Sequence, residues 1–194
     1  MKISALIPAA GESRRMGKAK MLLPFRGKTV IETVIKNVVS SQIDETWVVL
    51  GAGAGEIEKI IAPLPVHITR NPHYKKGMLS SIQWGVHQLS RDTEAILICL
   101  GDQPSIPAET INAVISGYKS SKKGIIVPVF KGKRGHPVLI DLKYRKKINQ
   151  LEPEIGLRQL VYSHPADTME VEVETEAVLQ DIDTDDDYQK EMKK

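Results

Sequence analysis

The segment from Ile3 to Leu23 places the tightest constraint on how this chain can fold. Residues Ile3 to Ile7 are apolar or small, which is typical of a strand buried on both faces of a sheet. The strand leads directly into Pro8-Ala9-Ala10-Gly11, where small side chains leave the main chain open to a ligand and Gly11 can adopt positive φ. The segment therefore predicts a buried N-terminal strand that ends in an exposed turn.

Four cations follow this turn within one short loop. Arg14, Arg15, Lys18 and Lys20 lie close in sequence to Ser13 and to the main-chain amides of the turn. Amides supply directed donors for phosphate oxygens, Arg a two-pronged donor and Lys a mobile charge. An ordinary turn or a solvated basic loop would explain either feature alone, but their combination behind a buried strand favours polyphosphate binding. The loop matches neither G-x-x-x-x-G-K-[ST] nor G-x-G-x-x-G, so it differs from these two common phosphate loops.

Helices and strands alternate along the rest of the chain. Apolar residues at helical spacing follow a capping Thr29 in Val30 to Val38, and a short apolar strand follows at Thr46 to Leu50. This alternation predicts a single-domain α/β protein over residues 1–194, Rossmann-like, with a mostly parallel sheet and helices on both faces. The other predicted elements are helices at 56–61, 107–118, 142–150 and 154–162, a helix that has Ser80 and Ser81 at its start and runs through Leu89, strands at 66–69, 95–100, 124–129, 168–173 and 177–181, and a basic hairpin loop with a strand within 131–140.

Composition argues against several classes of protein. The chain has 194 residues, a net charge of only +3 and 5% aromatic residues, which disfavours nucleic-acid binding. No apolar stretch approaches the length of a membrane span, and the N-terminus lacks the pattern of a signal peptide. The single cysteine, Cys99, lies in an apolar run and is read as a core residue in a reducing compartment. We therefore expect a cytoplasmic protein.

A second candidate site follows the apolar strand at 95–100. Asp102 is the first charged residue after this strand, at the end where parallel α/β sheets bind their ligands. A carboxylate there suits Mg²⁺, which is usually held by one or two carboxylates together with substrate phosphates. Asp102 could equally cap the helix that begins near Pro107.

Two further positions allow two interpretations each. Ser80 and Ser81 stand at the start of a predicted helix, which they could cap, or Ser81 could contact a ligand. Asp183 precedes an acidic helix start whose charges suit the first turn, and it could also be a second metal carboxylate. Position alone leaves both questions open.

The N-terminal motif resembles a known family. Ala9-Ala10-Gly11-Glu12-Ser13-Arg14-Arg15-Met16-Gly17, followed by Lys20, Leu22 and Leu23, is similar to the signature A-A-G-x-S-x-R-M-G…K-x-L-L of the MobA-like nucleotidyltransferases. That family transfers a nucleoside monophosphate from a triphosphate to a phosphate-bearing acceptor and releases pyrophosphate. The resemblance implies nucleotide contacts at Ala9, Ala10, Gly11, Ser13 and Ser81, catalytic roles for Arg15, Lys20 and Asp102, and metal ligation by Asp102 and Asp183.

Within the family, Pro-Ala-Ala-Gly, Gly-Asp-Gln-Pro and Gly-His-Pro-Val-Leu look most like the molybdenum cofactor cytidylyltransferase branch. This likeness implies CTP as donor, molybdopterin as acceptor, Mg²⁺ or Mn²⁺ as cofactor and a molybdenum hydroxylase as partner. It also places Gly135, His136 and Pro137 at the acceptor, although by position alone His136 is a turn or core residue. The tail departs from the family's D-I-D-T-P-E-D-Y, because Asp185 and Asp186 replace its proline and glutamate.

The residues are also compatible with other functions. The guanylyl branch, which uses GTP, typically has Gly-Gly where this chain has Ala10-Gly11. A sugar-phosphate or methylerythritol-phosphate nucleotidyltransferase is a further enzyme alternative. An accessory protein that carries molybdenum cofactor or nucleotide without turnover, and a nucleotide-binding regulatory domain, are the alternatives outside catalysis.

Overall fold

The computed structural model describes residues 1–13, 16–152 and 155–193. Its strands are β1 (Lys2–Ala9), β2 (Pro24–Phe25), β3 (Lys28–Thr29), β4 (Glu45–Leu50), β5 (His67–Arg70), β6 (Thr93–Ile98), β7 (Ile125–Phe130), β8 (Lys133–Arg134), β9 (Val138–Asp141) and β10 (Thr168–Glu172). Its α-helices are α1 (Val30–Val39), α2 (Ala54–Ile61), α3 (Met78–Gln88), α4 (Ala108–Ser120), α5 (Arg145–Gln150), α6 (Arg158–Ser163) and α7 (Asp185–Met192).

One sheet organises the molecule. Its strand order is β10-β7-β9-β6-β1-β4-β5, with β8 paired to β7, while β2 and β3 form a separate hairpin. β6, β1, β4 and β5 run parallel, so their carboxyl ends lie along one edge. β9 runs antiparallel to β6, and Val138 at its start faces Ile98 at the end of β6. The start of β9 therefore joins the carboxyl ends of the parallel strands.

The two faces of the sheet carry separate hydrophobic layers. In β1, Ile3, Ala5 and Ile7 pack with residues of α1, α2 and α4. Leu6 points to the other face, where it packs with residues of α3, α5 and α6. Successive side chains of a strand point to opposite faces, so an uninterrupted apolar strand requires helices on both. The predicted α/β architecture, with its mostly parallel sheet, is confirmed.

Local signals placed some element boundaries correctly. Thr29 caps α1: its hydroxyl accepts from the Glu32 amide, and the Glu32 carboxylate accepts from the Thr29 amide at 2.8 Å. This reciprocal pair satisfies two donors that the first helical turn leaves unpaired.

Other boundaries differ from the prediction. The segment predicted as a strand at 177–181 contains instead a short 3-10 helix, Glu176–Leu179. Its Val178 carbonyl accepts from the His136 amide at 3.0 Å, so tertiary contacts outweigh the apolar pattern there. The helix predicted from 154 begins only at Arg158, and Glu154 lies outside the described residues. Of the helices in the described ranges, none has the length and apolar character that crossing a bilayer requires.

Candidate active site

A cleft lies where β1 and β6 end, at the carboxyl edge of the sheet. We call it the edge cleft; its volume is about 360 Å³. Its lining includes Ala10, Gly11, Lys20, Ser81, Asp102 and Asp181. Five of these six were candidate site residues from sequence, and they converge because β1, β6 and α3 present their ends to the same edge.

The turn after β1 has a different conformation from the one expected. Positive φ occurs at Ser13 (50°) and Gly17 (64°), and Gly11 does not share it. A methyl group added at Gly11 would meet open space, so a ligand can approach its main chain. Ala9 is fully buried in β1 and is not part of the cleft lining. Arg15, predicted to be catalytic, lies outside the described residues, as does Arg14.

Ser13 organises the loop that carries Lys20. Its carbonyl oxygen accepts from the Met16 and Gly17 amides, both at 3.1 Å. Its hydroxyl accepts from the Lys20 amide at 3.3 Å. In the structure, Ser13 thus holds the main chain at the start of the 3-10 helix Lys20–Leu22.

Lys20 joins the two candidate metal carboxylates. Its Nζ atom lies 2.5 Å from Asp102 Oδ2 and 3.1 Å from Asp183 Oδ1. The three side chains are largely buried, with exposures of 11%, 17% and 29% respectively. Burial alone would lower the pKa of Lys20, but the carboxylates of Asp102 and Asp183 outweigh it and the pKa is raised. The structure therefore holds a charged ammonium between two carboxylates.

The helix-capping alternative is wrong for Asp102 and for the two serines. The N-cap of α4 is Pro107 and that of α3 is Gly77, and neither helix start has a side-chain cap bond. Ser81 is almost fully buried, and its hydroxyl accepts from Asn71 Nδ2 at 3.0 Å. The segment that contains Asp183 has both a capped helix start and a contact to the site. Thr184 and Asp187 form the cap of α7, and Asp183 accepts a hydrogen bond from Lys20.

One carboxylate that lines the edge cleft, Asp181, was not recognised as a site residue from sequence. Burial raises its pKa to about 6, and the negative charge of Asp102 adds to this, while the hydrogen bond from Gln103 opposes it. Gln103 Nε2 donates to Asp181 Oδ1 at 2.7 Å. A signal existed in the pattern Asp181-Ile182-Asp183, because in extended chain alternate residues share a side and Ile182 is fully buried.

The C-terminal segment is anchored to the loop after β6. The Ile182 amide donates to the Asp102 carbonyl at 3.0 Å, and the Ile182 side chain packs with Phe25 and Val30. Lys18 pairs with Asp185 at 2.7 Å. These contacts bring residues from both ends of the chain to one site, where Lys20 and Asp183 meet although they are 163 positions apart.

A second cavity adjoins the edge cleft. We call it the side cavity; its volume is about 410 Å³, and Met78 lines both spaces. Gly135 and His136, predicted at an acceptor, line the side cavity. Burial lowers the pKa of His136 and the charge of Asp102 acts in the opposite direction. Pro137 instead lines a small internal space of about 10 Å³, together with Cys99 and Gln103.

Comparison with known proteins identifies the family. The model of the MobA-like NTP transferase domain matches residues 5–168. The chain belongs to the MobA-like NTP transferase family. It is a nucleotidyltransferase, and the family predicted from the N-terminal motif is confirmed.

The relatives of this NTP transferase include a cytidylyltransferase and a guanylyltransferase. Molybdenum cofactor cytidylyltransferase of Escherichia coli (strain K12) is 30% identical over 187 residues, covering 96% of this chain and 93% of that protein. A probable molybdenum cofactor guanylyltransferase of Natranaerobius thermophilus is 35% identical over 130 residues, covering 67% of this chain and 62% of that protein. In fold, the chain is similar to the crystal structure of Rv0371c from Mycobacterium tuberculosis H37Rv, with a TM-score of 0.89, 24% identity and coverage of 100% and 98%.

The carboxylates of this NTP transferase suit a divalent cation. Asp102 and Asp183 each direct an oxygen at the point that Lys20 Nζ occupies, and carboxylate oxygens are the ligands Mg²⁺ prefers. In the described part of the chain, no group of three or more His, Cys, Asp or Glu side chains is arranged to hold a metal. A cation held by these two carboxylates would therefore take its remaining ligands from substrate or water.

Proposed function

We propose that this nucleotidyltransferase moves CMP from CTP to the phosphate of molybdopterin and releases pyrophosphate. The observation that carries the proposal is the junction of two cavities: the edge cleft contains Lys20 and Asp102, and the side cavity shares Met78 with it. A donor in the edge cleft and an acceptor in the side cavity would meet beside Asp102. Transfer between two bound substrates requires this kind of juxtaposition.

The reaction balances without a protein nucleophile. An oxygen of the acceptor phosphate attacks the α-phosphorus of CTP, and a new phosphoanhydride bond forms. The bond from the α-phosphorus to the bridging oxygen of the β-phosphate breaks, and that oxygen leaves with the electron pair as pyrophosphate. Such a step needs alignment and charge neutralisation rather than covalent help from the enzyme.

The chain supplies these two requirements through a small set of residues. Ala10 and Gly11 line the cleft, and their main-chain amides would donate hydrogen bonds to phosphate oxygens. Lys20 would neutralise the triphosphate and the leaving pyrophosphate, together with Arg15 as the sequence motif implies. Ser81, held by Asn71, would contact the base.

We assign Asp102 and Asp183 to a divalent metal, Mg²⁺ or Mn²⁺. When bound, the metal neutralises phosphate charge and orients the two substrates. The two carboxylates face one cation in the structure, which supports this assignment. Lys20 would then exchange its carboxylate partners for phosphate oxygens, since the metal and the ammonium compete for the same oxygens.

Two observations bear on the base of the donor nucleotide. CTP is favoured because the cytidylyltransferase relative aligns along nearly its whole length, and because Ala10 replaces the glycine typical of the guanylyl branch. GTP is the second candidate, since a guanylyltransferase relative has the higher identity over a shorter alignment. A molybdenum hydroxylase would receive the product if CTP is the donor.

The test is pyrophosphate release with Mg²⁺ from CTP, GTP, ATP and UTP, each with and without molybdopterin or molybdenum cofactor. We expect release only with CTP and a pterin acceptor. If GTP is the only nucleotide that supports release, GTP is the donor and the protein is still a nucleotidyltransferase. If all four nucleotides bind and none turns over with either acceptor, the molybdopterin assignment fails, and a sugar phosphate becomes the acceptor to test next.

A further inference from the structure

The side cavity has an apolar interior and a rim of exposed large hydrophobic side chains. Ile82, Ile98, Val127, Val138 and Val161 belong both to its lining and to the hydrophobic layer on that face of the sheet. Among the described residues, five large hydrophobic side chains are exposed, and three of them, Met78, Ile155 and Tyr162, line this one cavity. Exposed apolar side chains gathered at one concave place indicate a binding site rather than random surface.

Tyr162 is the most exposed of the three. Its exposure is 68%, and its ring faces the Arg134 guanidinium at 5.8 Å. Arg134 is itself held by Glu170 at 2.7 Å. A cation over one face of the ring steadies the ring and leaves the other face available for stacking.

Arg158 supplies the charge at the same rim. It lies four positions before Tyr162, on one side of α6, so the two side chains are neighbours on the helix surface. Arg158 forms no ion pair with any residue in the described ranges, in contrast to Arg134. An exposed guanidinium beside an apolar cavity suits an anionic substituent on an otherwise apolar ligand.

We infer that Tyr162 and Arg158 determine acceptor specificity, with the Tyr162 ring stacking on a flat conjugated ring system and Arg158 pairing with an anionic substituent of it. This inference rests on the proposed function, because it names what the acceptor end of the site selects. A polyhydroxylated sugar would fit poorly, since aliphatic walls leave its hydroxyl groups without hydrogen-bond partners. A planar heterocycle loses little hydration at its faces and gains contact area there.

The experiment compares Tyr162→Ala, Tyr162→Phe and Arg158→Gln with the wild type, using Arg91→Gln as a charge-matched control at a distant exposed position. The probe is pterin-6-carboxylate, a fluorescent, flat and anionic pterin, and its dissociation constant is measured by fluorescence without nucleotide. Tyr162→Ala and Arg158→Gln should weaken binding about tenfold, since a lost stacking or charged contact amounts to about 1.4 kcal/mol. Tyr162→Phe and Arg91→Gln should stay within about twofold of the wild type.

Measurements of turnover distinguish a change in acceptor specificity from a general loss of activity. In pyrophosphate release with molybdopterin, Tyr162→Ala should raise the acceptor KM and leave the CTP KM unchanged. Unaltered probe binding in both rim variants, or no probe binding by the wild type, would overturn the inference. A rim variant that binds pterin normally but no longer binds a molybdenum hydroxylase would also overturn it, and would make the rim a protein-docking surface.

The two proposals fail in different ways. Absence of turnover by the wild type with every nucleotide and acceptor contradicts the proposed function, while the probe experiment still decides the role of Tyr162 and Arg158. Normal CTP-dependent turnover with an acceptor KM that Tyr162→Ala leaves unchanged contradicts only the inference about the rim.

Discussion

Lys20 and Asp102 form an ion pair of 2.5 Å between the loop after β1 and the loop after β6. Asp183, from the C-terminal segment, contacts the same ammonium at 3.1 Å. β1 and β6 are parallel neighbours in the sheet, so the loops that follow them lie side by side. The strand order therefore brings Lys20 and Asp102 together. The positive charge of Lys20 lies between the two carboxylates and offsets their mutual repulsion.

Replacing Asp102 with asparagine should abolish most of the activity and leave the fold intact. The change keeps the shape of the side chain but removes the charge assigned to the metal, and losses of about 100-fold or more in kcat are expected when charge stabilisation of this kind is lost. Pyrophosphate release and circular dichroism measure the two effects. Asp92→Asn, at an exposed carboxylate paired with Lys2, is the control. Near-normal Mg²⁺-dependent rates in Asp102→Asn would contradict the metal assignment.

Replacing Lys20 with methionine should tighten metal binding in the absence of nucleotide. The change removes the cation that competes for the oxygens of Asp102 and Asp183, and an increase of about tenfold in Mn²⁺ affinity is expected from about 1.4 kcal/mol of relieved competition. Electron paramagnetic resonance of Mn²⁺ measures the affinity. Lys18→Met is the matched control, since its partner Asp185 is exposed. Equal Mn²⁺ affinity in all three proteins would show that Lys20 and the metal do not share ligands.

The same Lys20→Met protein should be less stable without metal. Two mostly buried carboxylates would lose their shared partner, which costs roughly 1–3 kcal/mol when the groups are partly solvated. Thermal unfolding with and without Mn²⁺ measures this, and Mn²⁺ should restore more stability to the variant than to the wild type. An unchanged melting temperature without metal would mean that solvent already screens the carboxylates.

Two glycines should respond to alanine in opposite ways. At Gly85 in α3, an added methyl group would lie 2.3 Å from Leu6 Cδ1, so overpacking should cost about 1–3 kcal/mol. At Gly55 in α2, the methyl group meets open space, and the helix should gain about 0.5 kcal/mol. Urea denaturation of both variants measures the difference. A Gly85→Ala protein as stable as the wild type would mean that the sheet and α3 separate easily.

Asp167→Asn should lose stability at neutral pH and show little difference in acid. Burial would raise the pKa of Asp167, but hydrogen bonds from Lys143 and Tyr144 outweigh it and the pKa is lowered. A carboxyl group with a lowered pKa stabilises the fold above its unfolded pKa, and this contribution disappears as the pH falls through the folded pKa. Denaturation at pH 7 and below pH about 3 should therefore give a gap that closes in acid. A constant gap at both pH values would contradict a charge effect.

Local sequence patterns predicted the features that depend on residues close together in the chain. The buried strand β1, the Thr29 cap and the position of Asp102 after an apolar strand all follow from patterns within a few residues. The 3-10 helix at Glu176–Leu179 was mistaken for a strand because its backbone partner, His136, lies far away in sequence. Asp181 was overlooked although it alternates with Asp183 around the buried Ile182, and its hydrogen bond from Gln103, across 78 positions, is visible only in the structure.

The amino-acid sequence by itself determined the α/β class, the family and five of the residues that line the edge cleft, because each depends on a pattern within a short segment of the chain. Only the tertiary structure decided that Lys20 lies between Asp102 and Asp183, and that Pro137 lines a different cavity from Gly135 and His136. It also decided that Tyr162, Arg158 and Met78 surround one cavity. These relationships depend on strand order and helix placement, which arise from long-range packing of the two hydrophobic layers and have no local pattern in the chain.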